Sequence, residues 1–291
     1  MKILVLCSGG DAPGMNRFVY EIVKAFPNEV FYAKAGFKGL VENKIYPLSL
    51  SEMEKVKDLA GAYILSSRYP EFKEEKYFKK AVKNVKDFDV VIIIGGNGSQ
   101  KGAKQLYDNG METIFVPGTI DNDVDNSFYS IGFDSAVHQC VYTVENSMPS
   151  VNTFFQTCLF EVMGNKSSAI CDEVAKRVDA DYKIDCVKKL NYNEIVKIIL
   201  KNKKAEKGTK IIVKEKILPV QDIADGIKNK NSNIDVKCQI VGRLQRGGKP
   251  TKTELKFATI FAKETIKNIK NNQFGKKILI NENKKAESFD F

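Results

Sequence analysis

The sequence predicts an α/β protein built from two doubly wound lobes, with the active-site cleft between them. Three observations lead to this prediction. Apolar strand-like runs alternate with helical patterns along the chain, glycine-rich turns directly follow several of these runs, and 291 residues are enough for two domains of ordinary size. Hydrophobic residues make up 43% of the chain and charged residues 28%, a balance typical of globular proteins.

Three strands are predicted in the first part of the chain, and each runs into a glycine-rich or polar loop. Residues 3–7 (ILVLC) and 90–94 (VVIII) are apolar runs followed by glycines and then by helical spacing, and residues 113–117 (TIFVP) form a third run. Uninterrupted β-branched runs are typical of parallel strands buried on both faces. Because loops at the carboxyl ends of parallel strands meet in one crevice, we expect the three loops to form one site.

The second part repeats the alternation, which predicts a second lobe. The expected order is a strand in FFQTCLFEVMG, helices in SSAICDEVAKRV and YNEIVKIILKN, a strand in TKIIVKE, a helix in VQDIADGIK, a strand in VKCQIVGRLQRGG and a helix in TELKFATIFAKETIKNIK. We predict one lobe of residues 1–132 plus about 246–283. The other lobe is predicted to contain residues 133–245 and the C-terminal tail.

Composition argues against several classes of protein. No apolar run approaches the roughly 20 residues that cross a bilayer, and the start lacks a signal-peptide core, so we expect a cytoplasmic protein without a membrane partner. The six cysteines form no C-x-x-C pair and the single His138 lies in a helical pattern, which disfavours zinc, disulfide and serine–histidine chemistry.

The net charge of +10 arises from the second part of the chain. Its lysine clusters, residues 201–210 and 226–237, lack interleaved aromatic residues, so they are interpreted as solvated faces. Nucleic-acid binding is the less favoured alternative, because no recognition motif accompanies the charge. A basic lobe also suits an anionic small substrate.

Two glycine loops have the composition of phosphate-binding loops. Residues 8–16 (SGGDAPGMN) and 95–99 (GGNGS) each join a strand to a helix. Glycines let backbone N–H groups approach an anion, and a helix N-terminus attracts it. Neither loop matches the P-loop or the dinucleotide pattern. A simple glycine turn is the alternative for either loop alone, whereas two in one lobe favour a nucleotide phosphate chain.

The segment 117–123 (PGTIDND) places Asp121 and Asp123 directly after a buried strand. A carboxylate beside a phosphate-bearing loop can take the proton of a hydroxyl, which phosphoryl transfer to a sugar requires. The alternative is an Asx turn with solvated carboxylates.

Arginines occupy two further turns, Arg68 in SSRYPEF and the pair Arg243 and Arg246 in GRLQRGG. A guanidinium fork binds phosphate oxygens in a bidentate manner. Surface ion pairs are the alternative interpretation. If both turns reach the site, they supply the positive charge that a phosphorylated substrate needs.

Together these motifs resemble those of the ATP-dependent 6-phosphofructokinases of bacterial size. SGGDAPGMN, SSRYPEF, GGNGS, PGTIDND, FEVMG and GRLQRGG fall in that family's order and at close to its spacing over nearly the whole chain. The resemblance implies a phosphofructokinase-like fold with an ATP-binding first lobe and a sugar-phosphate-binding second lobe. It implies phosphorylation of fructose 6-phosphate to fructose 1,6-bisphosphate in glycolysis, with ATP and Mg²⁺, by a homo-oligomer, usually a tetramer.

The resemblance also implies roles for the matching residues. Asp121 is the expected base, and Thr119, Asp123 and Arg68 complete the catalytic set. On the ATP side the matching residues are Gly10, Lys73, Gly96, Asn97, Gly98 and Ser99. On the sugar side they are Thr119, Asp121, Asp123, Gln156, Met163, Gly164, Glu215, Lys237, Arg243 and Arg246. Glycine at 98 and 118, where pyrophosphate-using relatives typically carry Asp and Lys, favours ATP as donor.

The chain departs from the family pattern at several of these positions. Asn97 replaces a carboxylate that helps to hold Mg²⁺, so it is expected to be a weak metal ligand. Gln156, Lys237 and Asn165 stand where arginines are usual, and Arg243 stands where a histidine is usual. The first helix carries Tyr20 and Lys24 in place of effector-binding arginines, which argues against allosteric control of the usual kind.

The departures leave three interpretations of function open. The first is an active 6-phosphofructokinase. The second is a catalytically weak or inactive regulatory or structural subunit that forms a hetero-oligomer with an intact paralogue. The third is a kinase for another sugar phosphate, because the altered positions lie where the sugar phosphate is expected to bind.

Overall fold

Strands and helices alternate along the chain, as the α/β prediction requires, and the structure, a computed structural model, describes all 291 residues. The strands are β1 (Ile3–Ser8), β2 (Val30–Ala33), β3 (Ile45–Pro47), β4 (Ser66–Ser67), β5 (Val90–Gly95), β6 (Thr113–Pro117), β7 (Thr157–Val162), β8 (Tyr182–Ile184), β9 (Thr209–Lys214), β10 (Val236–Ile240), β11 (Lys276–Ile280) and β12 (Ala286–Asp290). The α-helices are α1 (Met15–Ala25), α2 (Phe37–Val41), α3 (Leu50–Val56), α4 (Glu75–Val85), α5 (Asn97–Asp108), α6 (Phe133–Thr153), α7 (Ala169–Arg177), α8 (Tyr192–Lys204), α9 (Val220–Lys230) and α10 (Lys252–Lys270).

The larger sheet has the order β12-β11-β6-β5-β1-β2-β3, with β4 paired to β1. Its inner strands pair in parallel, whereas β3 and β12 are antiparallel to their neighbours. Every residue of β1, β5 and β6 is buried, which explains their uninterrupted apolar sequences. The three strands predicted in the first part of the chain are therefore confirmed.

The sheet order brings the predicted loops to one edge. From β1 the chain continues to β2 on one side, and from β5 to β6 on the other, so the strand order reverses between β1 and β5. In open parallel sheets, ligands bind at such a reversal, outside the carboxyl ends of the strands. The loops after β1, β5 and β6 all begin there.

One face of this sheet packs on helices through a continuous core. Leu4 and Leu6 of β1 and Val91 and Ile93 of β5 belong to a buried cluster that includes residues of α2, α4 and α5. The alternating side chains of a strand point to opposite faces, so these residues share one side of the sheet.

The smaller sheet contains four parallel strands in the order β10-β7-β9-β8. Its core includes residues of β7 and β9 together with the buried faces of α8 and α9. The strands and helices predicted for the second part of the chain are present; β8 is an additional strand that the sequence analysis did not identify.

The chain divides into a first unit, residues 1–135 with 246–291, and a second unit, residues 136–245. The C-terminal tail differs from the sequence-based assignment, which placed it with the second lobe. Strand β12 pairs with β11 at the edge of the larger sheet and so lies in the first unit. The tail belongs to the first unit because of backbone pairing between β12 and β11, which the sequence of the tail does not reveal.

No helix combines the length and the apolar character needed to cross a membrane. All six cysteines are free thiols, four of them buried. His138 lies on α6, as its helical pattern predicts, and is exposed.

Candidate active site

The loop after β1 is fastened to the neighbouring strand β4. Gly9 N donates a hydrogen bond to Ser67 O at 3.0 Å, and Ser66 Oγ donates to Gly9 O at 3.1 Å. Gly9 and Gly14 have φ angles of 95° and 97°, in the left-handed region that favours glycine. The loop therefore has a fixed backbone path that other residues would strain.

The loop after β5 lies beside the first one. Gly96 precedes the first residue of α5, and Ser99 Oγ donates a hydrogen bond to Ser8 O at 3.1 Å, which ties the two loops together. Gly98 is exposed, and a Cβ atom at this position would meet no atom within 4 Å. The N-terminus of α5 is thus open to a ligand, as an anion-binding helix end must be.

The loop after β6 carries the predicted base. Asp121 N donates a hydrogen bond to Thr119 Oγ1 at 3.3 Å, and Ser130 Oγ donates to Thr119 O at 2.7 Å. Asn97 Nδ2 donates to Asp123 O at 2.9 Å, which joins this loop to the start of α5. The structure therefore brings Asn97, Thr119, Asp121 and Asp123 together.

Two basic residues follow β4, the short strand next to β1. Residues 66 and 67 pair with residues 7 and 8, so the exposed Arg68 directly follows the carboxyl end of a strand that neighbours the glycine loop. Lys73 is exposed in a 3₁₀ turn, Pro70–Lys73. Arg68 thus lies at the same sheet edge as the loops described above.

Arg246 contacts the first glycine loop. Its Nη1 donates a hydrogen bond to Asp11 O at 2.7 Å. A Cβ atom on Gly10 would lie 2.7 Å from the same nitrogen, so glycine at position 10 makes room for the guanidinium group. The resemblance assigns Arg246 to the sugar phosphate, whereas this structure places it against the loop assigned to ATP.

In the second unit, Glu215 holds the loop that follows β7. Its Oε1 accepts hydrogen bonds from Gly164 N at 3.3 Å and from Asn165 N at 2.9 Å. Burial, together with the nearby Glu215 carboxylate, raises the pKa of Glu161. Met163, Gly164 and Glu215 therefore lie together, at the carboxyl ends of β7 and β9.

The sequence analysis missed Gln245, which is fully buried in the same region. Its Oε1 accepts hydrogen bonds from Met163 N and from Cys140 Sγ, both at 3.1 Å, and its Nε2 donates to Gly242 O at 2.9 Å. Gln245 thereby connects the loop after β7 to the 3₁₀ turn that carries the exposed Arg243. Its place within GRLQRGG is the only sequence signal.

Gln156 and Lys237 lie at the opposite end of the smaller sheet. Gln156 Nε2 donates to Asp235 Oδ2 at 2.5 Å, and Lys237 Nζ lies 3.0 Å from Asp235 Oδ1. Burial raises the pKa of Asp235, but the bonds from Lys237 and Gln156 outweigh it, so the pKa is lowered. Strand β7 separates Gln156 from Met163 by about 20 Å. Gln156 and Lys237 therefore lie apart from Met163 and Glu215.

The side chains of Asn97, Asp121 and Asp123 carry oxygen atoms, the ligands that Mg²⁺ prefers, and Asn97 contacts the loop of Asp123. No group of three or more His, Cys, Asp or Glu side chains is placed to hold a metal ion. Mg²⁺ usually keeps several waters and binds one or two carboxylates together with substrate phosphates. Asn97, Asp121 and Asp123 fit this pattern, because their loops meet beside the two glycine loops.

Comparison with known proteins identifies the family of this chain. The phosphofructokinase family profile matches residues 2–269. The chain is 32% identical over 282 residues to the ATP-dependent 6-phosphofructokinase of Mycoplasmopsis pulmonis, covering 94% of this chain and 86% of that protein. It is 33% identical over 258 residues to the enzyme of that name from Staphylococcus carnosus, covering 86% of this chain and 80% of that protein.

Solved structures show the same fold. Phosphofructokinase from Saccharomyces cerevisiae matches with a TM-score of 0.88 at 23% identity, covering 99% of this chain and 44% of that chain. A pyrophosphate-dependent phosphofructokinase from Nitrosospira multiformis matches with a TM-score of 0.85 at 14% identity, covering 99% of this chain and 82% of that chain. The match over most of the sequence and the shared fold lead to one conclusion: this chain is a member of the phosphofructokinase family.

Proposed function

We propose that this protein transfers the γ-phosphoryl group of ATP to the 1-hydroxyl of fructose 6-phosphate, forming fructose 1,6-bisphosphate in cytoplasmic glycolysis. The observation that carries the proposal is the meeting of Asp121 with two glycine loops at one sheet edge. Relatives named ATP-dependent 6-phosphofructokinase, about 30% identical over nearly the whole chain, support it.

In the proposed mechanism, Asp121 accepts the proton of the attacking hydroxyl. Phosphoryl transfer needs little covalent chemistry from the protein, so positioning and charge stabilisation dominate. Backbone N–H groups of the glycine loops and of the start of α5 hold the phosphate chain, and Arg68 offsets its charge. Oxygen atoms of Asp121, Asp123 and Asn97, together with the ATP phosphates, would hold Mg²⁺, which would supply further neutralisation of negative charge.

Residues of the second unit bind the sugar phosphate in this proposal. Met163, Gly164 and Glu215 contact the sugar, and Arg243 contributes positive charge. Gln156 and Lys237 lie at the other end of the smaller sheet, so we assign them to the sugar phosphate bound by a neighbouring copy. The proposed enzyme is accordingly a homo-oligomer, a tetramer or a dimer.

A second candidate function is a catalytically weak subunit that assembles with an intact paralogue. The contact between Gln156 and Asp235 favours it, because a carboxylate beside this position opposes phosphate binding. Asn97 also favours a catalytically weak subunit, since its amide is a poorer Mg²⁺ ligand than a carboxylate.

A coupled assay of the purified chain with MgATP and fructose 6-phosphate tests the proposal. We expect turnover, and we expect Asn97→Asp to lower the half-saturating Mg²⁺ concentration, because a carboxylate binds a hard cation more strongly. Asn97→Ala is the control, because both variants lose the hydrogen bond from Asn97 Nδ2 to Asp123 O but only Asn97→Asp gains a carboxylate. A wild-type chain without turnover that gains activity as Asn97→Asp would favour the weak-subunit function.

Gly98→Asp is expected to weaken the use of ATP without lowering the stability of the fold. Position 98 has open space, and an acidic residue in the first turn of a helix contributes about 0.3 to 1 kcal/mol, so the melting temperature should stay or rise. The carboxylate would repel the ATP phosphates, and we expect kcat/KM for ATP to fall at least about tenfold. Gly98→Asn, which has the same shape without the charge, should lose less; equal losses would refute the electrostatic explanation.

A further inference from the structure

Glu254, in the first turn of α10, carries an acidic group that the proposed mechanism does not use. Its side chain is fully buried. One oxygen, Oε1, accepts a hydrogen bond from Gly132 N at 2.8 Å, and the other, Oε2, accepts from Ser135 N at 3.2 Å and from Ser135 Oγ at 3.1 Å. Acidic residues are almost never fully buried without partners, so these contacts define a site built for a carboxyl group.

A short path of hydrogen bonds leads from Glu254 to the loop after β6. Gly132, which Glu254 holds, lies two residues after Ser130, and Ser130 Oγ donates a hydrogen bond to Thr119 O at 2.7 Å. Asp121 N in turn donates to Thr119 Oγ1 at 3.3 Å. A displacement of Gly132 would therefore reach the loop that carries the proposed base.

The same carboxyl group lies against the end of the loop after β1. A Cβ atom at Gly14 would lie 3.0 Å from Glu254 Cγ and 3.3 Å from its Oε1. A Cβ atom at Gly132 would lie 2.5 Å from Ala12 Cβ. Because packed interiors leave little free space and transmit strain, a movement of Glu254 or Gly132 would also displace this loop.

The surroundings of Glu254 offer no counter-ion. Its hydrogen-bond partners are all uncharged, and they include the hydroxyl of Tyr129. The other titratable group on the α6 side is Asp134, whose Oδ2 accepts a hydrogen bond from Thr251 Oγ1 at 2.5 Å. Helix α1, which packs against α10, buries no acidic or basic side chain. Burial raises the pKa of Glu254 to about 7, so the neutral and ionised forms are both populated near neutral pH.

We propose that Glu254 is a positioning residue for phosphoryl transfer, which holds the loop of Thr119 and Asp121 and the end of the loop after β1 in place. The identity of the transfer rests on the proposed function, whereas the positioning of the two loops does not. Ionisation puts a charge without a counter-ion into a buried site, and movement of the enclosing segments relieves it. Because these segments lead to the base and to a phosphate-binding loop, the ionised form is the slower catalyst.

The pH profile of kcat for wild type and Glu254→Gln tests this inference, because glutamine has the shape of the neutral acid and cannot ionise. At pH 6 the two enzymes should agree within about twofold, since most of the wild type is neutral. At pH 8, where about ten ionised groups exist for each neutral one, wild-type kcat should be about tenfold below that of Glu254→Gln. Glu282→Gln, at an exposed position, should follow wild type at both pH values. A residue that only stabilises the fold would leave the ratio constant, and a constant ratio would overturn the inference.

Hydrogen–deuterium exchange, followed by mass spectrometry, measures the loops without turnover. After correction for the intrinsic exchange rate, wild-type segments 8–16 and 117–123 should exchange about threefold or more faster at pH 8 than at pH 6. Glu254→Gln should show no such change in either segment, and the surface helix α8 serves as internal control in both proteins. Equal protection of wild-type segments at the two pH values would overturn the inference even if the variant did not fold.

These measurements also distinguish the inference from the proposed function. A chain without turnover, in which both loops lose protection at pH 8 only when Glu254 can ionise, would refute the kinase activity and retain Glu254 as the residue that holds the loops. A chain with turnover, in which wild type and Glu254→Gln keep the same ratio of kcat and the same exchange at both pH values, would refute the inference and leave the proposed function in place.

Discussion

Replacing Asp121 by asparagine is expected to lower kcat by about 10²- to 10⁴-fold, the usual contribution of a general base. Asparagine has nearly the same shape but cannot accept the proton of the sugar hydroxyl. Asparagine retains the backbone N–H group that donates to Thr119 Oγ1.

The control for this variant is Asp125→Asn. Asp125 is exposed and lies four residues along the same loop, so the same change in charge occurs at nearly the same place. Steady-state kinetics with MgATP and fructose 6-phosphate should show full activity for Asp125→Asn. An Asp121→Asn enzyme within tenfold of wild type would exclude Asp121 as the base, and a large loss in both variants would indicate a general effect of loop charge.

The second large effect concerns a buried carboxylate at the start of α10. Glu254 is fully buried, and its two oxygens accept hydrogen bonds from Gly132 N at 2.8 Å, Ser135 N at 3.2 Å and Ser135 Oγ at 3.1 Å. Burial raises the pKa of Glu254 to about 7, and the hydrogen bonds from Gly132, Ser135 and Tyr129 only partly oppose this shift. The Cγ of Glu254 would lie 3.0 Å from a Cβ at Gly14, the last glycine of the loop after β1.

The raised pKa makes stability depend on pH in a defined direction. In the unfolded chain the carboxyl group has a pKa near 4.5, so between pH 4.5 and about 7 the folded protein retains a proton that the unfolded chain has lost. This contribution to stability is fully present below pH 4.5 and is lost as pH rises toward 7. At 1.36 kcal/mol per pKa unit, we expect the loss to be about 3 kcal/mol.

Urea unfolding at a series of pH values between 5 and 8 measures this effect. Glu254→Gln cannot ionise, so its free energy of unfolding should lose this pH dependence, whatever its absolute stability. Glu282→Gln makes the same substitution at an exposed position, and it should keep the wild-type slope. Parallel curves for wild type and Glu254→Gln would show that Glu254 is ionised throughout this range.

The sequence was sufficient for the parts of the fold that depend on local pattern. The runs 3–7, 90–94 and 113–117 specify buried strands because an all-apolar segment is stable only with both faces covered. Short edge strands such as β3 and β12 carry no such pattern, because one side of each is exposed to solvent, and the sequence analysis missed them. Their positions depend on backbone pairing with a neighbour.

For the candidate site, the sequence by itself determined the family and the loops that carry Asp121, the glycines and Glu215, because these motifs need fixed residue types at fixed local spacing. Only the tertiary structure decided which of these residues meet. It joined Asn97 to the loop of Asp123, placed Arg246 against Gly10, and separated Gln156 from Met163 by the length of a strand. Contacts between residues distant in sequence depend on sheet order and on the end of the strand that each side chain occupies, which local spacing does not specify.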